Sequence, residues 1–360
     1  FPPEERGRAL GMNAIFVALG TSVGPTLGGI ITANLTWRWI FYVNIPLGII
    51  GVIATLLVLK DRSQRQSGRF DPSGATLLAV GLVALTLGLS FGQEWGWTSP
   101  LLIGTLAVSV LAFVLLVIVE HRVSDPVIDF RLLHNRIFVS ANVSLIMSFL
   151  SLFAISFMLP FYMEQLRGFP VLESGLLLTP LPLVIAIVAP FSGALADRIG
   201  TRWLAATGLT ISCIALIFIS QLNVQSSVFD IIWRLGLVGF GQALFQSPNN
   251  SALMGAAPRE HQGIASGFLA TGRVMGQSVS VALAGAIFAS LGGAQAGAML
   301  LQKGKYSPEQ IVSLQNTFTN AFHITFVVCA SIAAIGVFTS LVRGNEGRSS
   351  VKQAVLSSQK

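Results

Sequence analysis

Gly20-Thr21-Ser22-Val23-Gly24-Pro25-Thr26-Leu27-Gly28-Gly29 lies inside a stretch, Ala9 to Trp37, that contains no charged residue. A water-soluble helix gains nothing from glycines four apart, because each costs about 1 kcal/mol against alanine in a helix interior. In a bilayer the same spacing leaves one helix face almost bare of side chains, and another backbone can lie closely against it. Pro25 withdraws one amide donor and bends the helix at that point. The stretch reads as a bent, closely packed membrane helix.

Composition extends that reading to the whole chain. Charged residues are 10% of the sequence, against about 25% in an ordinary soluble domain, and mean hydropathy is +0.73. The formal charge of +7 does not mark a nucleic-acid surface, because the basic residues fall in short loops between long apolar runs. Cys213 and Cys329 sit inside such runs and read as small buried apolar residues, not as a disulfide or metal pair. The four histidines are scattered, and no HExxH, CxxC or phosphate-loop pattern occurs. A soluble enzyme is excluded on these grounds, and neither a cofactor nor a metal is expected.

Ten segments are long enough to cross about 30 Å of hydrocarbon as helices: 10–33, 38–59, 73–93, 99–119, 138–161, 174–195, 203–222, 229–252, 262–290 and 316–341. Helices are the form expected, since irregular backbone is not tolerated against lipid. An even count puts both ends of the chain on one side. Of the 22 Lys and Arg, four (Arg38, Arg167, Lys303, Lys305) flank the spans on one side and two (Arg234, Arg273) fall within spans. The other sixteen lie on the opposite flanks, so both ends are expected in the cytoplasm. Trp37, Trp39, Trp95 and Trp97 fall near the outer boundaries, where amphipathic rings settle. The chain starts Phe1-Pro2-Pro3-Glu4-Glu5 with no initiator methionine, which reads as the middle of a cytoplasmic loop.

An internal echo suggests two related halves. Pro3-Glu4-Glu5-Arg6-Gly7 leads into the first span and Pro258-Arg259-Glu260-His261-Gln262-Gly263 into the ninth, and glycines four apart follow each, Gly20/Gly24 and Gly272/Gly276. Repeated halves that rock around a midplane cavity are usual in secondary transporters. On the residues quoted, a family resemblance becomes specific. Gly20 to Gly29 resembles the antiporter signature of major facilitator superfamily drug exporters. Trp37-Arg38-Trp39-Ile40-Phe41-Tyr42-Val43-Asn44-Ile45-Pro46-Leu47-Gly48 resembles the next helix of the fourteen-span drug:proton antiporters, the EmrB/QacA type. Gly193-Ala194-Leu195-Ala196-Asp197-Arg198-Ile199-Gly200-Thr201-Arg202 is similar to the superfamily's cytoplasmic loop motif, and Gln93-Glu94-Trp95-Gly96-Trp97 to an outer loop after an inserted helix.

The resemblance implies an all-α polytopic membrane protein with the major facilitator fold, ten helices present and the first four of fourteen missing. Residues 1–59 would hold the last two helices of the N-terminal half, 60–136 an inserted helix pair with cytoplasmic linkers, 137–341 a six-helix C-terminal half and 342–360 a cytoplasmic tail. It implies proton-coupled export of amphipathic, cationic compounds across a bacterial inner membrane by alternating access. The partners expected are protons, small amphipathic substrates, membrane lipid and the four missing helices, with a periplasmic adaptor protein left open. A non-transporting sensor, a channel-like relative or an inactive fragment is the competing reading.

Particular residues carry these expectations. Gly20, Gly24, Pro25, Gly28 and Gly29 read either as a seam between halves that opens and closes or as a generic packing face. Gly193, Asp197, Arg198, Gly200 and Arg202 read as a cytoplasmic latch or as a solvated turn obeying the charge bias. Arg273 lies about 16 Å into the ninth segment with no Asp or Glu in the middle of any span to balance it; the alternative is snorkelling to the interface. Arg234 and Asp230 share a helix face as an i,i+4 pair, inside the membrane or at its outer surface. Asn142, Gln242, Gln246, Asn249 and Asn250 are candidate cavity groups, with helix-to-helix hydrogen bonding the competing role. Glu164 and Glu173 stand near the outer mouth.

Overall fold

The computed structural model of the protein describes residues 20, 24, 27–32, 35–58, 71–96, 98–123, 130–258 and 261–343. Within them the long helices are α1 (Trp39–Val58), α2 (Pro72–Trp95), α3 (Pro100–Glu120), α4 (Arg136–Phe161), α5 (Val171–Leu178), α6 (Pro180–Ile199), α7 (Thr201–Ser220), α8 (Val228–Ala256), α9 (Gln262–Ser290), α10 (Gly293–Leu300) and α11 (Pro308–Val342). Helix starts follow local chemistry. Asp71, Ser99, Asn135, Ser227 and Ser307 each accept an amide of the first turn, and Pro72, Pro100 and Pro308 occupy positions where no amide is needed. The Ser73 hydroxyl and the Gly74 amide hold the Asp71 carboxyl below its ordinary range.

Sequence reading expects ten membrane helices as the remainder of fourteen. The described residues carry nine helices long and apolar enough to cross a membrane, and a fourteen-helix plan finds no support in them. The number fourteen rested on short local resemblances. Glycine spacing answers to close packing and tryptophan to the membrane boundary, whatever the total number of helices. Of the first expected span, 10–33, only Gly20, Gly24 and residues 27–32 are described, all of them helical.

Helices α4 to α11 pack as one bundle whose contacts are made by small residues. A Cβ on Gly208 of α7 would stand 2.5 Å from the Phe245 nitrogen and 2.6 Å from the Gly241 oxygen of α8, so these two backbones touch. Gly239 of α8 meets Leu181 of α6 in the same way, and Gly276 of α9 meets Ile146 and Phe149 of α4. Lipid is as apolar as a leucine, so close backbone approach and its dispersion energy replace the hydrophobic force that drives packing in water. Toward one end, Tyr162, Phe288, Phe318, Phe322 and Phe326 form a buried aromatic stack, with ring centroids of Phe322 and Phe326 4.7 Å apart. There α4 runs through Pro160 into a π-helical turn, Tyr162–Leu166. Arg167 then donates to the carbonyls of Val224 and Ser226 and ties down the loop before α8.

α2 and α3 form a separate hairpin. Gly81 lies under the Phe113 ring, Gly88 under Leu106, and the Ser109 hydroxyl donates to the Gly81 carbonyl at 2.8 Å. The hairpin touches the bundle through α2 against α9. α1, with Pro46 inside it, has no buried residue, and Trp37 and Trp39 stand exposed at its start.

Candidate functional site

α9 is apolar enough to span, yet it carries a full charge in its interior. Arg273 is half-buried, with its guanidinium carbon 5.3 Å from the centroid of the Phe149 ring on α4. Its Nε is buried and has no hydrogen-bond partner among the described residues. The glycines on either side explain why α4 lies so near. A Cβ on Gly272 would be 3.4 Å from Leu145 and Ile146 and 3.9 Å from the Asn142 amide oxygen, and one on Gly276 would collide with Phe149. The structure therefore brings Arg273 and Asn142 to the same α4–α9 seam.

The polar residues of α8 divide between two roles. Gln242 is buried and accepts from the Ser148 hydroxyl of α4 at 3.1 Å. Gln246 and Asn250 are half-buried, and the Asn250 Oδ1 has no partner among the described residues. Asn249 has no exposed surface: its amide nitrogen donates to the Ala141 carbonyl at 3.0 Å and its oxygen accepts from Arg343. Asn142 turns its own amide donor back to the Phe138 carbonyl at 3.1 Å.

Arg343 is a residue that sequence reasoning passed over as one more basic flank. It is 1% exposed, and its fork reaches Asn249 on α8 and the Thr201 hydroxyl, 3.2 Å away, at the start of α7. With Ala141, this staple joins α4, α7, α8 and the end of α11. The signal available in the sequence was its place directly after a long apolar run, the same signal that any interfacial cation gives.

The loop between α6 and α7 sits beside that staple. Gly193 is buried, and Gly200 adopts φ +95°, a conformation side chains resist, while its amide closes α6 on the Ala196 carbonyl at 2.9 Å. Arg198 is exposed; Arg202 is half-buried, with its guanidinium carbon 5.2 Å from the Trp203 ring. The side chain of Asp197 lies outside the described residues. In the glycine ladder, Gly20, Gly24 and Gly28 have open space among the described residues where a Cβ would stand. Only Gly29 lies close to another element, 3.4 Å from Leu172 of α5 by the same measure. Pro25 lies outside the described residues.

Asp230 and Arg234 share a face of α8 without forming an ion pair. The Asp230 carboxylate closes a capping box with Ser227 and receives the Trp233 ring N–H at 3.4 Å, and two Arg234 nitrogens are buried without a hydrogen bond. Glu164 is half-buried on the π turn and Glu173 is exposed in the first turn of α5. Among the described residues no group of His, Cys, Asp and Glu is placed to hold a metal.

A seam of close-packed glycines, an arginine inside a long apolar helix and a loop closed by a glycine of positive φ are features of a polytopic membrane protein, and comparison with known proteins names its kind. The sequence model of the Major Facilitator Superfamily matches residues 1–281 and again 141–357. An uncharacterised MFS-type transporter of Bacillus subtilis (strain 168) is 35% identical over 258 residues, covering 72% of this chain and 48% of the relative. An uncharacterised transporter of Escherichia coli (strain K12) is 34% identical, covering 79% and 62%. A multidrug resistance protein of Mycobacterium tuberculosis is 31% identical, covering 80% and 53%. The chain thus spans between about half and three-fifths of the length of these relatives. None of these matches supports the fourteen-span EmrB/QacA subfamily, because the model that matches is that of the whole superfamily. The residues quoted for the narrower assignment are ones that packing and interface position ask of many such helices, so it is replaced by the broader one: the chain belongs to the major facilitator superfamily.

Proposed function

We propose that this chain works as, or within, a secondary active exporter of small amphipathic compounds in a bacterial cytoplasmic membrane. Transport runs by alternating access, driven by inward proton movement, with both ends of the chain in the cytoplasm. Family membership supports transport, and a multidrug resistance protein among the relatives supports export of amphipathic compounds. The observation that carries the reading is Arg273. A charge kept in the interior of a 29-residue apolar helix is expensive, and such charges line substrate or ion paths. The glycine ladder would supply the seam that opens and closes, and the loop at 193–202 the cytoplasmic latch.

The test is efflux of an amphipathic dye from proteoliposomes carrying the chain, with and without an imposed pH gradient. Accumulation that follows the gradient and collapses with a protonophore is expected. Dye movement indifferent to the gradient would remove proton coupling and leave facilitated transport. No movement with the folded chain in the bilayer would favour a sensor or channel-like relative. One observation gives that second reading its place: the described spans hold no acid in their interiors to carry the proton.

A further inference from the structure

Arg273 stands eleven residues after Gln262, about 16 Å along an axis of about 43 Å. Centred on a hydrocarbon core of about 30 Å, the helix places this residue about 10 Å inside the boundary. The acids of the described spans (Glu120, Glu164, Glu173, Asp230, Glu309) lie at or near the span ends, so the described residues hold no carboxylate at this depth. The guanidinium lies over the Phe149 ring, 5.3 Å from its centroid, beside the tight glycine seam of α9 on α4. The Nε is buried, and the terminal nitrogens, which donate to nothing in the described protein, keep access to the surface. A guanidinium is weakly hydrated and planar, and it presents its donors in plane as a fork that fits two oxygens. An aromatic ring on one side and terminal nitrogens left open suit a planar acid.

Resting on the transport reading above, we infer that Arg273, backed by Phe149, recognises substrates that carry an acidic group, a carboxylate or an acidic phenol, beside an apolar body. The acid of the substrate accepts two N–H bonds from Arg273, and its apolar body rests among the surrounding side chains.

The experiment uses the chain in lipid nanodiscs and three fluorescent probes sharing one apolar body: a carboxylate, its methyl ester and a quaternary ammonium analogue. The carboxylate is expected to bind roughly ten-fold or more tightly than either of the others. Arg273→Gln should erase that ratio, and Arg273→Lys should keep the preference with weaker binding, since an ammonium lacks the fork. Thermal unfolding of each variant shows whether it has folded, and the ester comparison in the parent chain needs no variant. Equal binding of acid and ester, tighter binding of the ammonium probe, no saturable binding of the carboxylate, or an unchanged ratio in folded Arg273→Gln overturns the assignment. Efflux of the same probes is scored separately. Arg273-dependent acid binding without efflux defeats the transporter reading alone, and efflux without charge preference defeats this assignment alone.

Discussion

Asn249 shows how much one amide can hold. Its nitrogen serves α4 and its oxygen serves Arg343 at the end of α11, so a single side chain of α8 fastens three helices where no water reaches. Removing one partner of a buried polar pair strands the other, and a stranded group costs about 1–3 kcal/mol. Asn249→Ala is therefore expected to lower the unfolding temperature of the detergent-solubilised chain, with no loss of helix content before the transition; an unchanged midpoint would refute it. Residue types and spacing place Asn249 and Asn250 on α8. They do not say which neighbour each meets, and the two have opposite fates, one clamped and the other keeping an oxygen with no partner among the described residues. The partner that decides the matter, Arg343, is 94 residues away in sequence. No local pattern reports a contact of that kind.

At the scale of elements, glycine is the residue to read, and its meaning differs between helices. Gly208 of α7 faces the backbone of α8, which cannot step aside, whereas Gly104 of α3 has nothing within 4 Å among the described residues. Gly208→Ala is expected to separate α7 from α8 and to cost several kcal/mol, at the upper end of what overpacking causes. Gly104→Ala should be neutral or stabilising by roughly 0.5–1 kcal/mol. Folded yield on size-exclusion chromatography distinguishes them, and equal yields would show that α7 and α8 are not held as described. Hydropathy made the long helices visible, and 262–290 coincides with α9. It missed that α11 begins at Pro308, eight residues before the expected 316, because a Ser307/Gln310 capping box carries the helix past its apolar part. It also missed the break between α5 and α6 at Thr179, where apolar residues continue on both sides.

For the molecule as a whole, the glycine ladder poses a question about conformations. In this structure Gly24 has no described neighbour within 4 Å, so a larger side chain meets no described obstacle in this state. If the ladder closes against another helix at a different stage of the cycle, Gly24→Leu should fold and melt like the parent yet lose most of its efflux. Full efflux at equal abundance would leave the ladder as a packing face and nothing more. That the chain spans a membrane with helices, and to which superfamily it belongs, was legible from composition and a few motifs. The total of fourteen was not, because motifs describe the helix they sit in and carry no count of the others.

α1 has a consequence of its own. Its 20 residues rise about 30 Å, close to the thickness of an average hydrocarbon core, while α8 and α9, at 29 residues each, rise about 43 Å. Helices that long are held at their tilt by their neighbours. No residue of α1 is buried among the described residues, and Trp37 and Trp39 stand exposed at its start, so lipid acts on its tilt more directly than on theirs. A thicker membrane would draw it upright and a thinner one would lay it over, and Trp37 and Arg38, whose guanidinium carbon lies 4.7 Å from the Trp37 ring centroid, would move with it. The composition of the bilayer thereby becomes an input to the molecule.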